Sequence, residues 1–188
     1  MSQSFRAARL SALPLLALLS TVSAVAQKPV AQKPVAVVKP DNAIIPLPLN
    51  PTIPAGQRLC SIRTASGLGY TVLRPGTGTR PTANDIALVN YIGYLAASGT
   101  MFDQGMQSPL PIEQVIPGFS EALQTMTRTS VVRFCIPATL GYGARESGPI
   151  PANSDLVFQV ELLDFKTAAE VQAMNNPVAA EPAPAAKP

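Results

Sequence analysis

One stretch breaks the two-residue rhythm that dominates the middle of this chain: Gln114 to Met126, reading QVIPGFSEALQTM. Val115 and Ile116 favour extended backbone. Pro117 then fixes φ at about −65°, which suits the first position of a helix, where its missing N–H costs nothing. Gly118, without a Cβ, lets another segment approach closely. Phe119, Ala122, Leu123 and Met126 follow at i, i+3, i+4 and i+7, so the spacing predicts one short amphipathic helix with a single apolar stripe. Glu121 is expected in its first turn, where the helix dipole favours negative charge. On periodicity alone this is a core helix behind a buried strand.

The flanks show what it packs against. Tyr70 to Leu73 alternate between a Ser66-Gly67 turn and Pro75-Gly76. In IALVNYIGYLA, residues 86–96, Leu88, Asn90, Ile92 and Tyr94 fall on one face and Val89, Tyr91 and Gly93 on the other. A Ser98-Gly99 turn leads to Met101-Phe102-Asp103, and SPLPIEQ, residues 108–114, supplies a short strand with Leu110 and Ile112. After the helix, Val132, Phe134 and Ile136 alternate toward one face; in the last strand, 155–165, Leu156, Phe158, Val160 and Leu162 do the same. Between them lie ATLGYG, residues 138–143, and the loop GARESGPIPANSD, which is too polar and too rich in Gly and Pro for regular structure. Strands around one helix predict an α+β fold with an antiparallel sheet.

The 188 residues could hold one domain and its tails, and 47% apolar residues are enough for a core. Twenty prolines are too many for one compact domain, and they gather outside the middle. Residues 1–26 read as a secretory signal: Arg6 and Arg9, the apolar run Leu10–Leu19, then the small-residue site Ala24-Val25-Ala26. The run is shorter than the roughly 20 residues that span a bilayer, so cleavage near Gln27 is expected, with no membrane attachment afterwards. Residues 27–55, with AQKPV twice, read as a polyproline-like or disordered spacer. Residues 56–166 form the expected domain. Residues 167–188 form an Ala- and Pro-rich tail, within which AAEVQAM could make a short helix.

Several chemistries are excluded by inventory. There is no histidine, so neither Ser-His-Asp nor Cys-His machinery nor a His-ligated metal is available. Two cysteines are too few for a thiolate zinc site. No phosphate-cradling loop precedes a helix, so no cofactor is expected. Net charge falls from +3 to +1 with the leader, which carries two arginines and no acid. No clustered basic face remains to hold nucleic acid.

The spelling of the central stretch adds a family. VIPGFSEAL resembles the helix entrance of the FK506-binding-protein (FKBP) type peptidyl-prolyl isomerases, commonly VIPGW-x-E-A-L in bacterial members. Other family motifs recur in order over roughly 66–165: SGL-x-Y, then Y-x-G-x-L…G-x-x-FD at 91–103, LGYG for the family's AYG, Ile150-Pro151 at a loop tip, and LVF-x-VELL. The resemblance implies a curved antiparallel sheet wrapped around one short helix. It implies an apolar proline pocket floored by Phe119 and walled by Tyr91, Phe102, Leu110, Val115, Ile116 and Phe158, with Ile150 at the rim. Tyr142 takes the role of hydroxyl donor to a substrate carbonyl, and Asp103, expected to be at least half-buried, acts electrostatically. Because the family's first strand lies beside the strand that carries Cys135, the resemblance also implies a Cys60–Cys135 disulfide, in keeping with an oxidising compartment.

The implied activity is acceleration of Xaa-Pro cis/trans exchange in unfolded or exported, proline-containing polypeptides, most simply in a periplasm. FK506-like macrolides are implied ligands. The chain departs from the family pattern at Phe119, where tryptophan is usual, at Asn90, where histidine is usual, and in the short 108–114 segment. A peptide-binding chaperone or adaptor using the same pocket without turnover is the alternative reading.

Overall fold

The computed structural model describes residues 37–46 and 51–175. The expected signal segment, most of the Pro-rich repeat, residues 47–50 and the tail beyond 175 lie outside the described residues. Six strands form one antiparallel sheet: β1 (Ile62–Arg63), β2 (Gly69–Arg74), β3 (Ile86–Leu95), β4 (Met101–Pro111), β5 (Val131–Ile136) and β6 (Leu156–Lys166). Their order across the sheet is β1-β2-β5-β6-β3-β4. The sheet curves around helix α1, Pro117–Thr125, the FKBP-like α+β arrangement.

Alternation and helical period meet in the core as the spacing predicts. Phe119, Ala122, Leu123 and Met126 of the helix stripe are buried against Val132, Phe134 and Ile136 of β5 and Leu156, Phe158, Val160 and Leu162 of β6. Ala87 and Val89 of β3 close the same cluster. Gly118 lets α1 sit tightly on the end of β5, because a Cβ there would lie 2.5 Å from Ile136 Cγ2. Glu121 departs from the expectation. It is not in the first turn; its carboxylate instead accepts a hydrogen bond from Ser66 Oγ at 2.7 Å, tying the helix to the turn before β2. Thr167 and Glu170 cap α2 (Ala168–Asn175) reciprocally, as a capping box does.

Residues 37–46 and 51–55 do not behave as a free spacer. Ile45 and Ile53 are buried against Ile92, Tyr94 and Val157, on the face of the sheet away from α1. Gln159 grips the backbone of Ile45, accepting its N–H at 2.8 Å and donating to its carbonyl at 3.1 Å. The fully buried Arg133 guanidinium donates to the carbonyls of Asp41 and Ala43. Pro40 rules out regular structure but not docking, since carbonyls are all that Arg133 needs. Cys60 and Cys135 are joined, with the disulfide lying across Gly69, where a Cβ would come within 3.1 Å of both cysteine Cβ atoms.

Candidate active site

The site forms where β3, β4 and β6 face the start of α1. Phe119 and Phe158 are 4% and 5% exposed and meet edge to face, ring centroids 4.9 Å apart. Tyr91 adds an edge contact to Phe119 at 6.0 Å and a tilted one to Phe158 at 6.4 Å; Phe102 meets Phe158 at 5.5 Å. Tyr91 and Phe102 are only half-buried, so the buried pair is a floor and the other two rings stand at its edge. Such edge-to-face packing is the favoured geometry of aromatic side chains.

An irregularity in β4 aims these groups. Gly93 pairs with Asp103 and Tyr94 with Met101, so Phe102 is the extra residue of a bulge. Its ring comes to rest where Gly93 leaves room: a Cβ at 93 would lie 2.6 Å from Phe102 Cζ and 2.7 Å from Phe158 Cε1. Asp103 is exposed, which corrects the expectation of a desolvated carboxylate. Its strand position beside the bulge leaves it at the rim, where Oδ2 accepts the Tyr91 hydroxyl at 2.9 Å and Oδ1 accepts the N–H of Gln104. The Tyr91 hydroxyl is pushed up to about 12, first by burial, then by its hydrogen bond to Asp103 and that carboxylate's charge, with a smaller push from Tyr142.

Tyr142 follows the short turn Ala138–Leu140 and packs half-buried against the same cluster. Its loop is held by main-chain bonds, Gly143 N–H to Ala138 and Asn153 N–H to Gly143. Val115 and Ile116, half-buried at the helix entrance, and Ile150, buried beneath its loop, pack on that cluster too. Leu110 pairs with Ala87, four residues along β3 from Tyr91, and packs half-buried against the same core cluster. Sequence reasoning missed Gly93 and Gly105 as the residues that make space for rings. Glycine inside a strand was the available signal.

A groove of about 600 Å³ lies elsewhere, beside the disulfide, lined by Val38, Arg58, Leu59, Ile62 and Pro137. It has no ring cluster, and Arg58 Nη1 donates to the carbonyls of Ala96 and Ala97. No cluster of metal-ligating side chains occurs among the described residues.

A ring-lined apolar patch under a tyrosine–carboxylate pair, on a curved sheet around one helix, defines an FKBP-type domain. A family model described as "FKBP-type peptidyl-prolyl cis-trans isomerase" matches residues 78–163. The chain belongs to this family: it is 38% identical to a peptidyl-prolyl cis-trans isomerase from Pseudomonas syringae pv. tomato whose crystal structure it matches with a TM-score of 0.51, covering 55% of this chain and 78% of that one. The crystal structure of FkpA from Escherichia coli matches with a TM-score of 0.54 at 38% identity, over 57% of this chain and 52% of that chain. FkpA of Aeromonas hydrophila is 47% identical over 104 residues, 53% of this chain and 38% of that protein. The chain thus spans about half or less of the length of the FkpA and Mip relatives it matches.

Proposed function

We propose that this chain accelerates Xaa-Pro cis/trans exchange in exported, proline-containing polypeptides, and that it works in the periplasm. The observation that carries the reading is the ring cluster of Tyr91, Phe102, Phe119 and Phe158 with Asp103 on the Tyr91 hydroxyl. Rotation about a peptide bond needs no nucleophile. It must cross a barrier of about 18–20 kcal/mol set by amide resonance. The planar amide is the more polar form, so a dry aromatic surface withdraws the water that favours it and accepts the twisted form with less loss. The proline ring rests on Phe119 and Phe158, with Val115, Ile116 and Phe102 around it. The Tyr142 hydroxyl, for which no partner within the chain is found among the described residues, donates to the carbonyl before the proline. Asp103 orients Tyr91 and sets a negative field at the rim. FK506-like macrolides, which present a ring and carbonyls of the same kind, compete for this surface. Each ~1.4 kcal/mol gained in the twisted state is a factor of ten in rate.

Export is supported by the leader-like first 26 residues and by the disulfide, which oxidising compartments preserve. Exchange NMR on a peptide such as Ala-Leu-Pro-Phe tests the activity. The wild type should broaden the cis and trans proline signals at catalytic amounts. Tyr142→Phe should lose several-fold in rate while binding survives, and Phe119→Ala should lose both. The rate should stay flat across neutral pH, because the Tyr91 proton is held. The raised folded-state value keeps the Tyr91–Asp103 bond complete below about 10, the ordinary tyrosine value, and the bond is lost only as pH climbs through about 12. A wild-type chain that binds unfolded clients yet leaves the uncatalysed rate unchanged would sink the isomerase reading in favour of a holding function.

A further inference from the structure

The outer face of the sheet reaches the candidate site through the backbone of β4. Between the pairs Val89–Ser108 and Tyr91–Gly105 the ladder passes one residue on β3 and two on β4, so Met106 and Gln107 both stand opposite Asn90. This is a second bulge. Gln107 has a φ of 47°, left-handed backbone that side chains with a Cβ rarely adopt. Its N–H is accepted by Asn90 Oδ1 at 2.8 Å. Asn90 is itself fixed, since its Nδ2 donates to Glu161 Oε2 at 2.9 Å directly across the β3–β6 ladder. The other Glu161 oxygen accepts Arg74 Nη2 at 2.5 Å. With one end of the amide committed to the carboxylate, the carbonyl end has to face β4.

The bulge decides which β4 residues face Tyr91. Carrying the Val89–Ser108 register on without it would set Met106 opposite Tyr91 and move Asp103 from Gly93 to Tyr94. Gly105 is needed opposite Tyr91, because a Cβ there would lie 2.4 Å from Tyr91 Cε1. We infer that Asn90 is a positioning residue for the site: by clamping the Met106–Gln107 bulge it holds β4 where Gly105 seats the Tyr91 ring and Asp103 receives its hydroxyl. Asn90 touches no substrate; it acts through Gln107. Its kinetic consequence rests on the isomerase reading, but its effect on Tyr91 does not.

The test uses the full, disulfide-intact chain and three variants: Asn90→Ala, Asn90→Ala with Gln107→Gly, and Asn90→Gln. Glycine adopts positive φ without strain, so Gln107→Gly should keep the bulge when its clamp is gone. The first readout is the pH titration of the Tyr91 ring carbon by NMR, where Asp103 and Tyr142 are the facing groups. In Asn90→Ala the Tyr91 titration should fall measurably below about 12 as the bond to Asp103 loosens, while burial, the larger cause of the rise, keeps it above the ordinary tyrosine value. In exchange kinetics kcat should fall several-fold with KM changed far less. Adding Gln107→Gly should restore both. Asn90→Gln, whose amide overreaches by one methylene, should move Tyr91 in the same direction and serves if Asn90→Ala does not fold. An unshifted Tyr91 titration in a folded Asn90 variant overturns the inference, as does a folded double variant that recovers nothing. A wild type without catalysis defeats the isomerase reading alone, and the Tyr91 titration still decides the role of Asn90.

Discussion

Gly93 shows how little space the site can spare. An alanine methyl there would press on Phe102 and Phe158 together, at 2.6 and 2.7 Å, and Phe158 is itself packed against Phe119 and Tyr91. Gly93→Ala is therefore expected to cost about 1–3 kcal/mol of stability, the usual cost of overpacking. It should also slow exchange by more than the lost folded fraction explains, because the displaced rings are the ones a proline would touch. Urea melts and exchange rates on one sample separate the two effects; equal losses would make Gly93 a packing residue only. The rings themselves were legible, since Tyr91, Phe102, Phe119 and Phe158 each stand in a family spelling. The exposure of Asp103 was not. It depends on the bulge at Phe102, and one extra residue in a strand leaves no mark on alternation that a single sequence reveals.

The short strand expected at 108–114 is instead the end of the long β4, with Ile112–Gln114 in a 3-10 turn after it. The other elements followed their periods: the helix stripe and the inward faces of β3, β5 and β6 emerged where spacing put them. The docked segment 37–46 did not, for a physical reason. It is held by its carbonyls and by Gln159, and backbone acceptors are the same in every sequence. A trace did exist on the other partner. Ile92 and Tyr94 lie on the face opposite Val89 and Tyr91, and two apolar residues on a nominally outer face call for a cover. Arg133 is the clamp. Burial draws its pKa down from the ordinary arginine value and the Asp41 charge pushes it back up. Arg133→Met should remove hydrogen bonds made by a charged donor, worth about 1.5–3 kcal/mol each in stability before the apolar replacement offsets part of the loss. Amide exchange should quicken at Ile45, next along the segment, while the buried β5 amide of Phe134 stays protected. If Ile45 exchanges no faster, Gln159 and the buried Ile45 side chain hold the segment without Arg133.

At the scale of the molecule, each face of the sheet carries a cover. α1 fills the concave side, and residues 37–46 and 51–58 cover the convex side up to the disulfide. Cys60 lies at the junction where the covering segment turns into β1, and Cys135 lies in β5, whose neighbours are β2 and β6. The bond therefore ties the entry of the chain to the middle of the sheet. It closes a loop with a sequence separation of 75 that contains β1 to β4 and α1. In the chain-entropy account, a loop this long removes about 4–5 kcal/mol of freedom from the unfolded state. The reduced chain should then melt at least about 8 °C lower, since each kcal/mol shifts a midpoint by about 2–8 °C in domains of this range. Thermal melts with and without reductant, repeated on the Cys60→Ser, Cys135→Ser pair, measure it. The ring cluster lies on the other face from the disulfide, so exchange activity at low temperature should survive reduction. Coincident melts would show that sheet and covers hold the chain entry without the bond; loss of activity before any melting would mean that the covering segment communicates with the site.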